Sequence, residues 1–281
     1  MKTITRTTLY LIILSTFLPG CKDKPTAPPE EPEAPPHVVS QTQTGIQITT
    51  HVGTTHTLIL IPEGPFEMGA NNGIRNEGPE HTVHLKAYYI DHTEVSNAQW
   101  NPYAIAERQL PNFDPPEHPV VNINWFQAGE YCAWLGGRLP TEAEWEKAAR
   151  GTDRRIYPWG AAPDPNRANY LNSGDPFDNG TAPVAYYREG NRDGRSPYGV
   201  LDMAGNVWEW TQDEYDSAYY QRTPRDNPVN YEVKTHYLHI ERVVRGGSWF
   251  STAFLVRTTA RDARKSNLQT DTLGFRCVVD R

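Results

Sequence analysis

The sequence predicts an α+β domain with much irregular loop, and three observations carry that expectation. The 281 residues include 24 Pro and 21 Gly, with 8 Trp and 11% aromatics, a mixture suited to a loop-rich globular core. Only two segments carry clear helix punctuation, and they lie among several short runs with strand patterning. From about Gly45 onward no second linker and no internal repeat interrupts the chain, so one domain is expected over 45–281. The formal net charge of −7 argues against a nucleic-acid partner. The mean hydropathy of −0.67 argues against a polytopic membrane protein. Three Cys are too few to staple a fold of this size, so the core must be hydrophobic.

The chain opens on Lys2 and Arg6, followed by the uncharged stretch Thr7 to Gly20 with apolar Leu9 to Leu14. That stretch is too short to span a bilayer and has the shape of a signal peptide over 1–20. Leu18-Pro19-Gly20-Cys21 resembles a bacterial lipobox. The resemblance implies lipid on Cys21, which becomes the first residue after cleavage. Lys22 resembles outer-membrane sorting, so the expectation is a lipid-anchored protein of the outer membrane, displayed at the cell surface. Residues 21–44 read as a stalk, because half of Pro25 to Pro36 is proline and the rest is mostly Glu and Ala. In polyproline form such a stalk extends about 3.1 Å per residue.

Within the domain, Gly45–Thr50 and Thr55–Ile61 read as strands, and a short strand follows the turn at Pro62-Glu63-Gly64. His81–Ile90 alternates through Val83, Leu85, Ala87 and Tyr89, as one half-buried strand does. Asn124 caps a helix over Trp125–Leu135 that Gly136-Gly137 stops. Thr141 and Glu144 form a capping box for a helix reaching Arg150. Gly151–Asp193 is rich in Asn, Asp, Gly and Pro and reads as a long ordered loop, which needs something to hold it. Val243–Trp249 and Leu273–Val279 give two further strands.

The assembled segments resemble the formylglycine-generating enzyme (sulfatase-modifying factor) family. They are IPEGPFEMG at 61–69, DHTEVSNAQW at 91–100, PVVNINWFQAGEYCAWLGGRLPTEAEWEKAARG at 119–151, YPWG at 157–160, GTAPV at 180–184, SPYGVLDMAGNVWEWTQD at 196–213, RGGSW at 245–249 and LGFRC at 273–277. The resemblance implies a C-type-lectin-like α+β fold. The family's enzymes bind copper through two cysteines shortly after the motif that here reads Gly246-Gly247-Ser248-Trp249. Ser251 falls at the first position and Leu255 or Val256 at the second. Neither replaces the soft thiolates that Cu(I) requires, so no copper and no oxidase chemistry are expected. The resemblance also implies a structural disulfide between Cys132 and Cys277.

The resemblance further implies structural calcium. Asp202 and Glu209 side chains with the carbonyls of Gly205 and Val207 match one family site. Asn169 and Asp175 with the carbonyls of Tyr170 and Phe177 match a second. Hard Ca²⁺ takes six to eight oxygens, which such loops supply. His81 and His84 point to opposite strand faces and are not expected to bind metal. No nucleophile elbow, P-loop or Rossmann motif occurs. Glu142, Glu144 and Glu146 are accounted for by the capping box and a solvated helix face.

Residues 250–272, FSTAFLVRTTARDARKSNLQTDT, resemble the diversified segment of variable receptors encoded with retroelements, a class that includes variable surface lipoproteins of treponemes. In those receptors mutated adenines in Asn-type codons yield Phe, Ser, Thr, Leu, Val, Asp and Ala. Trp249, Phe250, Ser251, Thr252, Phe254, Leu255, Val256, Thr258 and Thr259 are therefore the expected ligand-binding residues. The expected function is a monomeric, non-catalytic surface lipoprotein that binds a protein or glycan ligand. The alternatives are a periplasmic enzyme of different chemistry on the same fold, and a structural lipoprotein of a secretion or gliding complex.

Overall fold

Strand alternation in the first part of the domain builds a sheet whose central strand is buried on both faces. In the computed structural model, residues 37–177, 179–231 and 240–281 are described. The leader, Cys21 and the proline-rich run to residue 36 lie outside the described residues. Strands β1 (Val38–Gln41), β2 (Gly45–Thr49), β3 (Thr55–Ile61), β6 (Tyr88–Asp91) and β11 (Val278–Asp280) form one sheet, in the order β1-β2-β3-β6-β11. Leu58 packs with Ile46 and Ile48 into one core cluster, while Ile59 and Ile61 pack with Ile90 into another. Burial on both faces explains the unbroken apolar run of β3. Residues 38–41, read from the sequence as stalk, pair antiparallel with β2 and belong to the domain.

The alternating stretch 81–90 is two strands rather than one. β5 (His81–Leu85) pairs with β4 (Gly64–Met68) in a separate hairpin. The chain then leaves that hairpin at Lys86-Ala87 and enters the five-stranded sheet as β6. Asn227 fixes the transition, accepting from the Lys86 N–H at 2.8 Å and donating its own N–H to the His84 carbonyl at 2.8 Å.

A second sheet runs β10 (Leu273–Gly274), β7 (Trp208–Glu214), β8 (Glu241–Arg245), β9 (Arg261–Lys265). The expected strand 243–249 stops at Arg245, because Gly246 and Gly247 take φ of +92° and +76° and turn the chain away. The expected strand 273–279 splits into β10 and β11 around Phe275-Arg276-Cys277.

Among the described residues three α-helices pack against the sheets. α2 (Trp125–Trp134) and α3 (Glu142–Arg150) start at the caps read from the sequence: Asn124 accepts from the Gln127 N–H at 3.0 Å and Thr141 from the Glu144 N–H at 3.2 Å. α1 (Asn97–Ala106) was not anticipated. Its Trp100 and Tyr103 pack with Tyr131 of α2 and with Phe275 at the centre of one core. Cys132 of α2 is disulfide-bonded to Cys277 just before β11, with Cα atoms 5.4 Å apart. Among the described residues no helix is long and apolar enough to cross a membrane.

The helix face of α3 expected to be solvated is buried. Arg261 of β9 grips the Glu142 carboxylate with two bonds of 2.7 Å. Arg245 of β8 donates to Glu146 at 2.5 Å, and Arg150 donates to its other oxygen at 3.0 Å. Packing β8 and β9 against α3 brings cations onto these carboxylates. Each pair then offsets the desolvation that either charge alone would suffer.

Candidate functional site

The candidate recognition face is built by the turn-rich segment that follows β8. The two glycines are required there: a Cβ on Gly247 would lie 2.6 Å from Val256 Cγ1, and one on Gly246 3.1 Å from the Trp145 ring. Ser248 and Ser251 then close the first turn. The Ser248 N–H donates to Ser251 Oγ at 3.0 Å, and the Ser251 N–H donates to the Ser248 carbonyl at 2.9 Å.

This turn sorts the expected ligand-binding residues into two sets. Phe250 is 65% exposed and Phe254 49%. Thr252 is exposed, and Trp249 and Leu255 are half-buried. Trp249 and Phe250 meet edge to face at 5.5 Å, and the Trp249 indole N–H reaches the Asp271 carbonyl at 3.2 Å. Ser251, Val256, Thr258 and Thr259 are buried, which corrects their assignment to the face. Ser251 is spent on the turn. Val256 packs with Tyr157, Ala168, Tyr170 and Ala204. The Thr258 hydroxyl donates to the carbonyl of Arg155 at 2.9 Å, and that of Thr259 to Glu77 at 2.7 Å.

Arg257 was not singled out in the sequence, yet it fixes the face from below. Its guanidinium binds both oxygens of the buried Glu77 at 2.6 and 3.0 Å, and its Nε–H donates to the Phe254 carbonyl at 2.7 Å. Its Cζ lies 3.8 Å from the centre of the Phe254 ring, a cation–π contact that holds the ring at the surface. The signal that could have found it is an arginine set among the apolar Phe254, Leu255 and Val256.

The copper positions carry the wrong donors. Ser251 uses its hydroxyl within the turn, and Leu255 and Val256 are aliphatic. Cys132 and Cys277 are joined to one another. This donor set does not fit Cu(I).

The two calcium expectations divide. Glu209 is fully buried, and both its oxygens are held by the Arg276 fork at 2.6 and 2.7 Å, with the Trp145 indole N–H at 2.8 Å. Asp202 accepts from the Ala185 N–H at 2.7 Å. Arg276 thus engages Glu209 in the set Asp202, Gly205, Val207 and Glu209, whereas the Asp202 carboxylate is engaged through one oxygen. Burial pushes the Asp202 carboxyl up to about 6, with Glu209 adding to the rise. Burial and the charges of Asp202 and Glu209 likewise raise Glu94 well above the usual range. Among the described residues no three His, Cys, Asp or Glu side chains gather as a metal centre. The second set offers an open amide oxygen. Asn169 is fully buried, its amide N–H donates to the Gly180 carbonyl at 2.9 Å, and its Oδ1 has no partner among the described residues. Asp175 lies on the same loop, accepting from Ser173, Tyr187 and the Phe177 N–H.

Comparison with known proteins completes the description. The chain is 31% identical over 246 residues to the serine/threonine-protein kinase pkn1 of Chlamydia caviae, covering 79% of this chain and 37% of that protein. It thus spans little more than a third of the chlamydial kinases it matches. It is 30% identical over 291 residues to a Bos taurus protein named inactive C-alpha-formylglycine-generating enzyme 2, covering 80% of this chain and 89% of that one. It is also 30% identical over 294 residues to the formylglycine-generating enzyme of Streptomyces coelicolor, covering 81% and 90%. The relatives therefore include enzymes and a protein named inactive. PvdO from Pseudomonas aeruginosa has the same fold, with a TM-score of 0.72 at 23% identity over 86% of this chain and all (100%) of that one. So does Treponema denticola variable protein 1, with a TM-score of 0.64 at 24% identity over 88% and 100%. The family model described as sulfatase-modifying factor enzyme 1-like domain matches residues 45–281, and the chain belongs to that family, with an α+β fold.

Proposed function

We propose that this chain is a non-catalytic binding module, anchored in the outer membrane through lipid on Cys21, that presents Trp249, Phe250, Thr252, Phe254 and Leu255 to a protein or glycan ligand. The observation that carries the reading is the pair Phe250 and Phe254, exposed by 65% and 49% on a segment anchored by the buried Ser251 and Val256. Large apolar groups held together at a surface mark interaction sites, and rigid aromatic anchors beside hydroxyls suit recognition. The missing thiols at Ser251 and at Leu255 or Val256 support a loss of the oxidase chemistry. A structural Ca²⁺ held by Asn169 and Asp175 with the carbonyls of Tyr170 and Phe177 supports the loop beneath the face.

Two measurements test the reading. The purified chain, incubated with copper and a cysteine-containing sulfatase peptide, is expected to form no aldehyde. Copper-dependent aldehyde would overturn the non-catalytic assignment. Array screening of the chain against proteins and glycans, repeated with Phe250→Ala, Thr252→Ala and Phe254→Ala combined, is expected to lose its hits with an unchanged melting temperature. Hits retained by the triple variant would remove the face from the function.

A further inference from the structure

The long loop between α3 and β7 carries a second concave site that the face around Phe250 does not use. Arg155, Arg167 and Arg195 converge with Trp159 and Tyr198 on a cleft of about 490 Å³, whose charged lining is three guanidinium groups against the single carboxylate of Asp193. Each arginine is fixed by an aspartate close by in sequence. Arg155 binds Asp153 at 2.9 and 2.7 Å, and Arg195 binds Asp193 at 2.8 and 2.7 Å. Arg167 binds Asp164 at 2.9 Å and the Asp193 carbonyl at 2.6 Å. These bonds orient the forks without using every donor: Arg195 Nη1 and Arg167 Nη2 have no protein acceptor among the described residues. The indole of Trp159 is equally fixed. Tyr157 stacks on it at 5.4 Å and 14°, and its N–H donates to the Ala162 carbonyl at 2.9 Å.

We propose that this cleft binds an acidic saccharide, with a sugar carboxylate or sulfate on Arg167 and Arg195 and a pyranose ring against Trp159. Held forks recognise planar or tetrahedral oxyanions with little loss of side-chain entropy. A fixed indole beside a polar, partly open cleft offers a flat apolar platform among hydrogen-bonding groups. A pyranose matches that pattern with one C–H face and a rim of hydroxyls, whereas an acidic peptide would leave the platform unused. The site stands independently of the proposed recognition face.

The test uses the purified full chain in titration calorimetry with a heparin-derived tetrasaccharide for sulfate and a galacturonic acid trimer for carboxylate. Cellotetraose and a poly-glutamate peptide serve as neutral and peptidic comparisons. At least one acidic saccharide is expected to bind, and to weaken as salt rises, since part of its attraction is screened. Arg195, whose side chain is 51% exposed, can be replaced without emptying the core. Arg195→Ala is expected to lose about tenfold in affinity, near 1.4 kcal/mol, and Arg195→Lys less. Lys265→Ala, a charge-matched change on exposed β9 surface, is expected to lose nothing. The proposal is overturned if neither acidic saccharide binds, if Arg195→Ala binds as wild type, or if cellotetraose or poly-glutamate binds as tightly.

Discussion

Replacing Arg257 by alanine strips the buried Glu77 carboxylate of its two charge-assisted hydrogen bonds and leaves it with Thr259 and a long bond of 3.3 Å from the Ile74 N–H. The two side chains are 10% and 0% exposed, so solvent cannot take over. Breaking a buried pair from one side costs about 3–5 kcal/mol. Loss of the stacking on Phe254 adds about 0.5–1 kcal/mol. For a domain of this length each kcal/mol moves the melting temperature by about 2–4 °C, so Arg257→Ala is expected to melt roughly 7–24 °C lower. Urea denaturation of wild type, Arg257→Met, Glu77→Gln and the double variant closes the cycle. The double variant removes both charges and is expected to recover at least half of the single-variant loss. A loss below about 1 kcal/mol in Arg257→Ala, or strict additivity in the cycle, would refute the view that this pair props the exposed face.

Three further outcomes are expected. The Cys132–Cys277 bridge closes a loop of 145 residues, so replacing both cysteines by alanine should cost about 4–5 kcal/mol in urea unfolding on chain-entropy grounds; an unchanged midpoint counts against that. Burial, with the Glu142 charge beside it, raises the Asp213 carboxyl to about 7. The native state therefore keeps a proton that the unfolded chain releases near pH 4. Stability from this group should fall by about 1.4 kcal/mol per unit from roughly pH 4 to 7, then level off. The pH slope should be shallower in Asp213→Asn, and an identical slope would remove Asp213 as its source. Chelator should lower the melting temperature by withdrawing an ion bound only to the native state, and Asn169→Ala should abolish that response; equal chelator sensitivity in the variant would exclude Asn169 as a ligand.

What could be read from the sequence was what local chemistry decides. The α2 and α3 starts followed from Asn124 and Thr141, because a cap is settled within three residues. α1 carries the same kind of signal, Ser96-x-x-Gln99, with Gln99 accepting from the Ser96 N–H at 2.9 Å. Pro102 inside the helix obscured it. β9, Arg-Asp-Ala-Arg-Lys, has no apolar alternation of its own, and its Arg261 pairs with Glu142 from 119 residues away. The same limit applies to the face. Its aromatic content was legible, but Thr258 and Thr259 are drawn inward by partners 103 and 182 positions distant. Arg276, likewise, pairs with Glu209 across 67 positions, which the local loop alone does not show.

The five-stranded sheet has a consequence for the order in which the chain can fold. Its strands come from both ends of the domain: β11 pairs with β6, placing Val278 opposite Ile90, and the Cys277 N–H reaches Asp91 across 186 positions. α2 and α3 can form as soon as they are made, but β6 keeps one open edge until the final residues are available. Contacts of such separation require loop closure before they return any stabilisation, and they slow folding accordingly. Until then the unpaired edge and the apolar side chains of β3 and β6 are open to other chains. Truncation before Cys277 should therefore leave the five-stranded sheet without β11 and Cys132 without its disulfide partner.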